Sequence, residues 1–575
     1  MNYTNDKSTQ IVLSLLKEHG IRKVIVSPGT TNIALVASMQ CDPWFEMYSC
    51  VDERSAAYMA CGLASESGEP VVITCTEATA SRNYYPGLTE AHYRKLPILA
   101  ITGSHGNEVT GHLNAQSIDR SHTPLDTVNF NISVDKIENS TDEWLTIVNV
   151  NKALLELRRH GGGPVLINLH EATNSNFDVM ELPKVRKIDR IFFDGEFPLM
   201  KGFNSVAIFV GAHRIFTDAE TKAIECFCEK NNGVVFVDQT SGYHGKYKVQ
   251  NALLACQDNQ SLMKSPELLI HIGEVSGEIY NTYHVFPRQV WRVSEDGEIR
   301  DLFKRLTHVF EMSELSFFTH YNESMSGKEV NIEFYKYLFS VYTTLIDRIP
   351  ELPFGNIWIS QQLHDKLPKN SVLHLSIFNS LRSWNFFELD KTITTSCNVG
   401  GFGIDGCLST LLGAMLANPA KLHFCVVGDL AFFYDMNALG NRHVGKNLRI
   451  LLVNNGVGTE FKNYDHPASR WRDDADSFIA ARGHFGQKSP ILVKNYITAL
   501  GFKYISASSK EEFISVAEEF VTSENLDKPM VLEVFTDSKD ESDAIRLMRN
   551  LVKDNRSLTK KIKDKTSSVI RKIIR

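Results

Sequence analysis

The chain has 575 residues, too many for one hydrophobic core, and its composition of 43% hydrophobic and 22% charged residues is typical of a soluble globular enzyme. The net charge of −7 argues against nucleic acid as the main partner, and the ten cysteines lack the spacing of metal sites, so we expect them to be reduced. The N-terminus does not resemble a signal peptide, and no apolar run approaches the length of a membrane span. A cytoplasmic enzyme of about three domains is therefore expected.

Residues 1–185 are predicted to form the first α/β domain. The stretches KVIVSPG, PVVITCTEA and PILAITG predict buried strands, and ERSAAYMACGLASESG predicts a helix with small residues on one face. Alternation of this kind favours a doubly wound parallel sheet. Asp52 and Glu53 lie where a strand leads into the helix, and a carboxylate there can simply stabilise the helix N-terminus by roughly a few tenths of a kcal/mol.

Residues 186–345 are predicted to form a second, middle domain. SVAIFVGAH, GVVFVDQT and ELLIHIGEV predict three buried strands that each end in a turn with Gly or Asp. No GxGxxG motif follows a strand within this domain, so we expect a structural and substrate-lining role for it, with His213 and Asp238 as structural residues at strand ends. The polar stretch SFFTHYNESMSGKEVN, residues 316–331, is predicted to be irregular and to lead into the third domain.

Residues 346–545, the predicted third domain, contain the most informative stretch, HFCVVGDLAFFYDMNALGNRHVGKNLRILLVNNGVGTEF. It predicts a buried strand that ends at Gly428 and Asp429, then a helix, then a second buried strand that ends at an NNG triplet. Because ligands of a parallel sheet bind outside the carboxyl ends of its strands, Asp429 and Asn455 are expected side by side at a binding site. Both are hard oxygen donors of the kind that magnesium takes when it also holds a diphosphate. The structural alternative is an ordinary Gly-Asp turn followed by an Asn-rich turn.

This stretch resembles the diphosphate and magnesium motif of thiamine diphosphate (ThDP) enzymes, in which a GD pair precedes an apolar strand that ends in NN. The resemblance implies that Asp429 and Asn455 bind the metal with their side chains and that Val457 binds it with its backbone carbonyl. It also places Gly428 against the cofactor. The usual motif reads GDG, whereas this chain reads GDL. The family of 2-succinyl-5-enolpyruvyl-6-hydroxy-3-cyclohexene-1-carboxylate (SEPHCHC) synthases also reads GDL.

Further segments resemble the same synthase family in the same order. SPG, DERSAA, SGxPVxxxCT and YxxLPIL are similar to its first domain, and SIFNSLRSW and NVGGFGIDGCLSTLLGAMLA are similar to its third. The resemblance implies that Glu53 is the carboxylate that hydrogen-bonds N1′ of the ThDP aminopyrimidine. It also implies that Gln116 and Ser380 face the reacting substrate and that Ile404 supports the bent conformation of the cofactor. The implied architecture has three doubly wound parallel-sheet domains: pyrimidine-binding, middle and diphosphate-binding.

Four positions that match substrate-binding arginines of the synthase family hold other residues here: Thr31, His105, Trp384 and Val399. Arginine is the natural bidentate partner of a carboxylate, and losing such a contact typically costs roughly a few kcal/mol. Arg382 could replace one of the four. A less cationic and partly aromatic pocket is therefore predicted, which suits a smaller or neutral acceptor such as a sugar or an aldehyde.

These segments together predict a ThDP- and magnesium-dependent enzyme that decarboxylates a 2-oxo acid and transfers the resulting unit to an acceptor. In this superfamily the first and third domains of one site come from different subunits, so the resemblance implies a homodimer or homotetramer. Two alternatives stay open: a decarboxylase that releases aldehyde without an acceptor, and a catalytically silent binding protein of the same fold. Retention of Glu53, Asp429 and Asn455 argues against the silent protein.

Residues 546–575 are predicted to form a basic C-terminal tail. From Leu551 to Arg575 the chain has nine Lys or Arg and two Asp, a balance of +7, and its apolar residues recur at roughly helical spacing. An amphipathic helix of this charge could contact an anionic surface at the inner face of the membrane or an acidic partner. A solvated tail without a partner is the alternative.

Overall fold

A computed structural model of the protein describes residues 2–106, 109–170, 176–325, 327–522 and 527–552. The strands are β1 Lys23–Val26, β2 Glu46–Ser49, β3 Val71–Cys75, β4 Ile98–Ser104, β5 Phe130–Val134, β6 Val165–His170, β7 Asp189–Phe192, β8 Val206–Val210, β9 Gly233–Val237, β10 Lys248–Gln250, β11 Leu268–Ile272, β12 Gln289–Val293, β13 Leu306–Glu311, β14 Val372–Leu375, β15 Thr394–Cys397, β16 His423–Gly428, β17 Leu448–Asn454, β18 Lys503–Ala507 and β19 Met530–Phe535. The helices are α1 Lys7–Glu18, α2 Ile33–Gln40, α3 Glu53–Ser67, α4 Thr79–Asn83, α5 Tyr85–Arg94, α6 Ser140–Glu156, α7 Asp218–Lys230, α8 Asn251–Ala255, α9 Glu314–Ser324, α10 Glu333–Ile346, α11 Asn356–Leu363, α12 Asn379–Trp384, α13 Cys407–Ala417, α14 Asp429–Asp435, α15 Leu492–Ala499, α16 Lys510–Val521 and α17 Ser538–Arg549.

The chain divides into two compact units. The first comprises Met1–Glu196 and Gly297–Glu311, and the second comprises Phe197–Asp296 and Met312–Arg575. The limits of the three domains that the sequence predicts stay predictions.

The first unit is built on a six-stranded parallel sheet with the strand order β2-β1-β3-β4-β6-β5. One hydrophobic core lies between this sheet and helices α1, α2 and α6, and another lies between the sheet and helices α3 and α5. Because helices cover both faces, β3 and β4 are buried along their whole length and read as continuous apolar runs. Strands β7 and β13 pair with each other in parallel within the same unit.

Helix α3 begins at Glu53 and is held at close range to α5. Asp52 caps the helix, since its side chain accepts a hydrogen bond from the backbone N–H of Ser55 at 3.1 Å. The buried face of α3 consists mainly of alanines, and a Cβ atom on Gly87 of α5 would lie 2.4 Å from Cβ of Ala57. Only a glycine at position 87 allows the two helices to approach this closely.

The second unit contains two parallel sheets. Their strand orders are β10-β9-β8-β11-β12 and β15-β14-β16-β17-β19-β18. Strands β16 and β17 are neighbours, and Gly428 lies opposite Val453 in their register. The two polar strand ends that the sequence predicts are therefore adjacent at the carboxyl edge of this sheet. The predicted fold class, α/β with doubly wound parallel sheets, is confirmed.

The prediction of an irregular stretch at residues 316–331 is wrong for its first part. Glu314–Ser324 form helix α9, which buries Phe317, Phe318 and Tyr321. These three side chains share one helical face, but the polar residues between them obscured the helical period in the sequence.

The predicted basic tail lies almost wholly outside the described residues, which end at Val552. Helix α17 continues to Arg549, and Leu551 and Val552 are both buried. The backbone N–H of Leu551 donates to Oε1 of Gln257 at 3.2 Å, so the folded body extends into the start of the segment that the sequence assigns to the tail. None of the helices in the described ranges is long and apolar enough to cross a membrane.

Candidate active site

Asp429 is a buried carboxylate held by two backbone N–H groups. It is the first residue of α14, directly after β16, and 5% of its surface is exposed. Its Oδ1 accepts from the N–H of Leu430 at 2.8 Å, and its Oδ2 accepts from the N–H of Gly456 at 2.6 Å. Burial raises the pKa of Asp429 to about 6, while these backbone hydrogen bonds oppose the rise. A bound divalent cation would stabilise the ionised form of such a carboxylate.

Asn455 is oriented by Glu541, a residue that no sequence pattern marks as part of the site. The amide Nδ2 of Asn455 donates to Oε1 of Glu541 at 3.4 Å, and its Oδ1 accepts from the N–H of Val457 at 3.2 Å. Glu541 also accepts hydrogen bonds from Thr536 at 2.6 Å and Asn356 at 2.7 Å. Burial raises the pKa of Glu541, and the hydrogen bonds from these three residues oppose the rise. The amide of Asn455 therefore has a defined orientation, as a metal ligand requires.

A cavity of about 500 Å³ lies beside these two residues in the second unit. It is lined by the residues of this unit that the sequence assigns to the site: Ser380, Ile404, Gly428, Asp429, Asn455 and Val457. A Cβ atom added to Gly428 would meet no atom within 4 Å, so the backbone at this strand end is open to a ligand. The structure thus brings together, from segments about 80 residues apart, the predicted cofactor residues of the second unit.

The donor set fits a magnesium ion that is shared with a diphosphate. In the described ranges, no group of three or more His, Cys, Asp or Glu side chains is placed to hold a metal. The three predicted ligands, Asp429, Asn455 and Val457, all line the cavity, and they would supply one carboxylate, one amide and one backbone carbonyl. Magnesium is commonly bound through one or two protein carboxylates with substrate phosphates completing its shell, so this set suits a phosphate-bearing cofactor.

Glu53 and Gln116 belong to the first unit. Glu53 is partly buried at the start of α3, just beyond the carboxyl end of β2. Gln116 is exposed in the segment that follows β4 and has a φ of 65°, in the left-handed region. Their roles at the cofactor and substrate stay predictions.

The residues at the four arginine positions are held by the protein itself. Thr31 is buried and donates to the carbonyl of Gly103 at 3.0 Å. Nδ1 of His105 contacts Glu77, whose carboxylate also accepts from Arg120 at 3.2 Å. Thr31 and His105 carry no guanidinium group, and Arg120 is already bound to Glu77. These side chains therefore offer no free guanidinium to a substrate carboxylate.

Trp384 and Val399 are buried, and neither is among the residues that line the cavity. The aromatic rings at the cavity are instead those of Phe378, Phe402 and Phe461. The aromatic character that the sequence attributed to Trp384 therefore comes from these three phenylalanines.

Arg382, which the sequence offered as a replacement for one of the four arginines, is bound to two glutamates. Its Nη1 donates to Oε2 of Glu460 at 2.7 Å, and its Nε donates to Oε2 of Glu278 at 3.1 Å. The guanidinium is thus already shared between two carboxylates of the same unit. Nothing in the local sequence marks these two glutamates, because they lie 78 and 104 residues from Arg382 along the chain.

His213 and Asp238 lie just beyond the carboxyl ends of two strands, as the sequence predicts, and His213 also lines a cavity of about 580 Å³ in this unit. Their structural role stays a prediction. Nε2 of His213 lies 3.1 Å from Glu314, and the ring stacks on Phe216. Asp238 is buried and accepts hydrogen bonds from the backbone and hydroxyl of Thr240, each at 2.6 Å. These contacts hold turns at the carboxyl ends of β8 and β9.

Two family matches cover the segments that carry the site. Residues 6–123 match the thiamine pyrophosphate enzyme, N-terminal TPP binding domain, and residues 380–534 match the thiamine pyrophosphate enzyme, C-terminal TPP binding domain. The first match includes Glu53 and Gln116, and the second includes every predicted site residue of the second unit.

Similarity to individual proteins extends over nearly the whole chain. The protein is 30% identical to the SEPHCHC synthase of Phocaeicola vulgatus, over 95% of this chain and 98% of the relative. It is 31% identical to that of Bacteroides fragilis, over 93% and 97%, and 27% identical to that of Flavobacterium johnsoniae, over 93% and 97%. The chain therefore belongs to the thiamine pyrophosphate enzyme family and is related along its length to SEPHCHC synthases.

Proposed function

We propose that this protein is a ThDP- and magnesium-dependent carboligase, which decarboxylates a 2-oxo acid and transfers the resulting unit to an acceptor that carries few carboxylates. The observation that carries the proposal is the cavity of the second unit, at which Asp429, Asn455 and Val457 lie beside Ser380 and Ile404. The cavity thereby offers oxygen ligands for a metal ion and, in Ile404, an apolar side chain that can support the rings of the cofactor.

Each residue has a defined part in this proposal. Bound ThDP supplies the electron-accepting chemistry that decarboxylation needs. Asp429 and Asn455 would hold the magnesium ion with their side-chain oxygens, and Val457 with its carbonyl oxygen. Glu53 would exchange a proton with N1′ of the aminopyrimidine, while Gln116 and Ser380 would contact the substrate.

The electrostatics of the cavity support an acceptor different from that of the SEPHCHC synthases. No Lys or Arg occurs among the described residues that line it, and Arg382 nearby is bound to two carboxylates. A buried carboxylate of a substrate would lose its hydration there without gaining a cation from this unit. Neutral aldehydes or keto-sugars suit a cavity without lysine or arginine better than acceptors with carboxylates do.

A homodimer or homotetramer, with each site built from two subunits, is part of the proposal. Large apolar side chains are exposed beside the predicted site residues of both units: Val51 and Tyr58 near Glu53, and Phe402 near Ile404. Mixing inactive Glu53→Gln and inactive Asp429→Ala proteins should restore activity, because some hybrid sites then receive both intact halves. An active monomer in sedimentation would contradict this assembly.

The full-length similarity favours a second candidate, SEPHCHC synthesis itself. The deciding assay supplies purified protein, ThDP and magnesium with 2-oxoglutarate and isochorismate, and in parallel with pyruvate and a panel of neutral aldehyde and keto-sugar acceptors. Efficient turnover of the first pair would establish the second candidate and refute the proposed change of acceptor. Release of aldehyde with no ligated product under any condition would instead identify a simple decarboxylase.

A further inference from the structure

Arg382, Glu278 and Glu460 form a charged cluster next to the cavity of the second unit. The guanidinium of Arg382 contacts Glu460 with two nitrogens, Nη1 to Oε2 at 2.7 Å and Nη2 to Oε1 at 3.2 Å, while its Nε contacts Glu278 at 3.1 Å. The side chains of Arg382 and Glu278 are 7% and 1% exposed, whereas that of Glu460 is 23% exposed. Glu460 is therefore the most exposed of the three side chains.

The charge of Arg382 is fixed by its surroundings. Burial acts to lower the pKa of the guanidinium, but the two carboxylates raise it well above its usual value. Burial also raises the pKa of Glu278, against the influence of Arg382. The ring of Tyr280 lies 5.0 Å from the guanidinium carbon on one side. One guanidinium is thus shared by two carboxylates, so the cluster has no cation to spare for a further anion.

Glu460 faces the cavity in a fixed orientation. It lines the cavity together with Asn379 and Phe461. Its Oε2 also accepts from Nδ2 of Asn463 at 3.1 Å, and the same Nδ2 lies 3.2 Å from Oδ1 of Asn379. Oε1 accepts one hydrogen bond, from Nη2 of Arg382, and a carboxylate oxygen can accept two, so Oε1 can receive a further donor. A ligand in the cavity therefore meets an oriented carboxylate that favours hydrogen-bond donors, and the cation behind it, Arg382, is already bound by two carboxylates.

We propose that Glu460, held by Arg382, determines acceptor specificity: it receives hydroxyl groups of a neutral, polyhydroxylated acceptor and rejects acceptors that carry a carboxylate at this place. This inference rests on the proposed carboligase function and adds the class of acceptor. A substrate carboxylate opposite Glu460 would bring like charges together in a partly desolvated site, whereas a hydroxyl group donates to it.

The test compares two unreactive five-carbon probes, ribitol and glutarate, on the full-length protein loaded with ThDP and magnesium. Dissociation constants are measured by calorimetry, so the result does not depend on turnover. The wild type should bind ribitol at least about tenfold more tightly than glutarate. Glu460→Gln, which is nearly isosteric, should reduce that preference by about tenfold, because it removes the negative charge and frees one face of Arg382 for an anion.

Glu278→Gln is the matched control. It changes the carboxylate on the buried side of Arg382 and leaves Glu460 in the cavity, so the ribitol-to-glutarate preference should stay close to that of the wild type. Glutarate that binds the wild type as tightly as ribitol, ribitol that does not bind, or an equal loss of preference in both variants would overturn the inference. ThDP binding is measured separately by circular dichroism, and its absence would refute the proposed function independently of the probe preference.

Discussion

His374 in strand β14 should make the second unit sensitive to acid. Its ring is buried, and burial lowers the pKa of the imidazole from 6.5 to about 4. In the unfolded chain the pKa returns to its ordinary value, so between the two values the unfolded state binds more protons than the folded state. The stabilisation from a neutral His374 is therefore complete above pH 6.5 and is lost as the pH falls towards 4.

The size of this effect follows from the two pKa values. They differ by about 2.5, which corresponds to about 3.4 kcal/mol at about 1.36 kcal/mol per pH unit. About 1.8 kcal/mol of this should be lost between pH 7 and pH 5. The change to test is His374→Asn, which removes the titrating ring but keeps a polar group in place of Nδ1, 2.9 Å from Oγ of Ser396.

The assay is guanidinium unfolding at pH 7 and pH 5. The free energy of unfolding of the wild type should fall by about 1.8 kcal/mol more than that of His374→Asn. His443→Asn replaces an exposed histidine of the same unit and should behave like the wild type. Equal acid losses in the wild type and in His374→Asn would refute the reasoning.

Four further changes test the site and the fold. Glu53→Gln should keep the fold and ThDP binding but lower kcat by about 10²-fold or more, since an amide cannot exchange the proton at N1′; full activity would contradict the assignment. Asp429→Ala should abolish saturable ThDP binding in the presence of magnesium, followed by tryptophan fluorescence, and retained binding would exclude its role as metal ligand. Gly87→Ala should lower the free energy of unfolding by about 1–3 kcal/mol because its Cβ would collide with α3, whereas Gly62→Ala, where no atom lies within 4 Å, should not destabilise. Truncation after Val552 should leave turnover unchanged and weaken salt-sensitive binding to anionic vesicles, and a loss of turnover would mean that the tail serves the active site.

The sequence could predict Asp429 and Asn455 as neighbours because parallel strands present their carboxyl ends at one edge. The apolar runs before each residue mark the strands, and the pairing of β16 with β17 follows from short connections in an α/β fold. Ser380 and Ile404 have no such local signal. They could be placed only through resemblance to a family whose segments occur in the same order.

The sequence could not predict the contacts of charged residues that are far apart in the chain. No charged partner of Arg382 can be identified from the sequence. Its ion pairs with Glu278 and Glu460 are formed only in the folded chain. Glu541 lies in a helix whose many polar and charged residues suggest a solvated face, yet its carboxylate is buried against Asn455. Tertiary packing decides which polar residue of an amphipathic helix is buried, and the hydrophobic period of the sequence does not indicate that residue.

The contact between Asn455 and Glu541 also sets an order of events during biosynthesis. Strands β16 and β17 leave the ribosome well before helix α17, and until Glu541 arrives the amide of Asn455 lacks the carboxylate that orients it. The Asn455 amide therefore has both of its orienting contacts only after the last helix that the structure describes has folded against it.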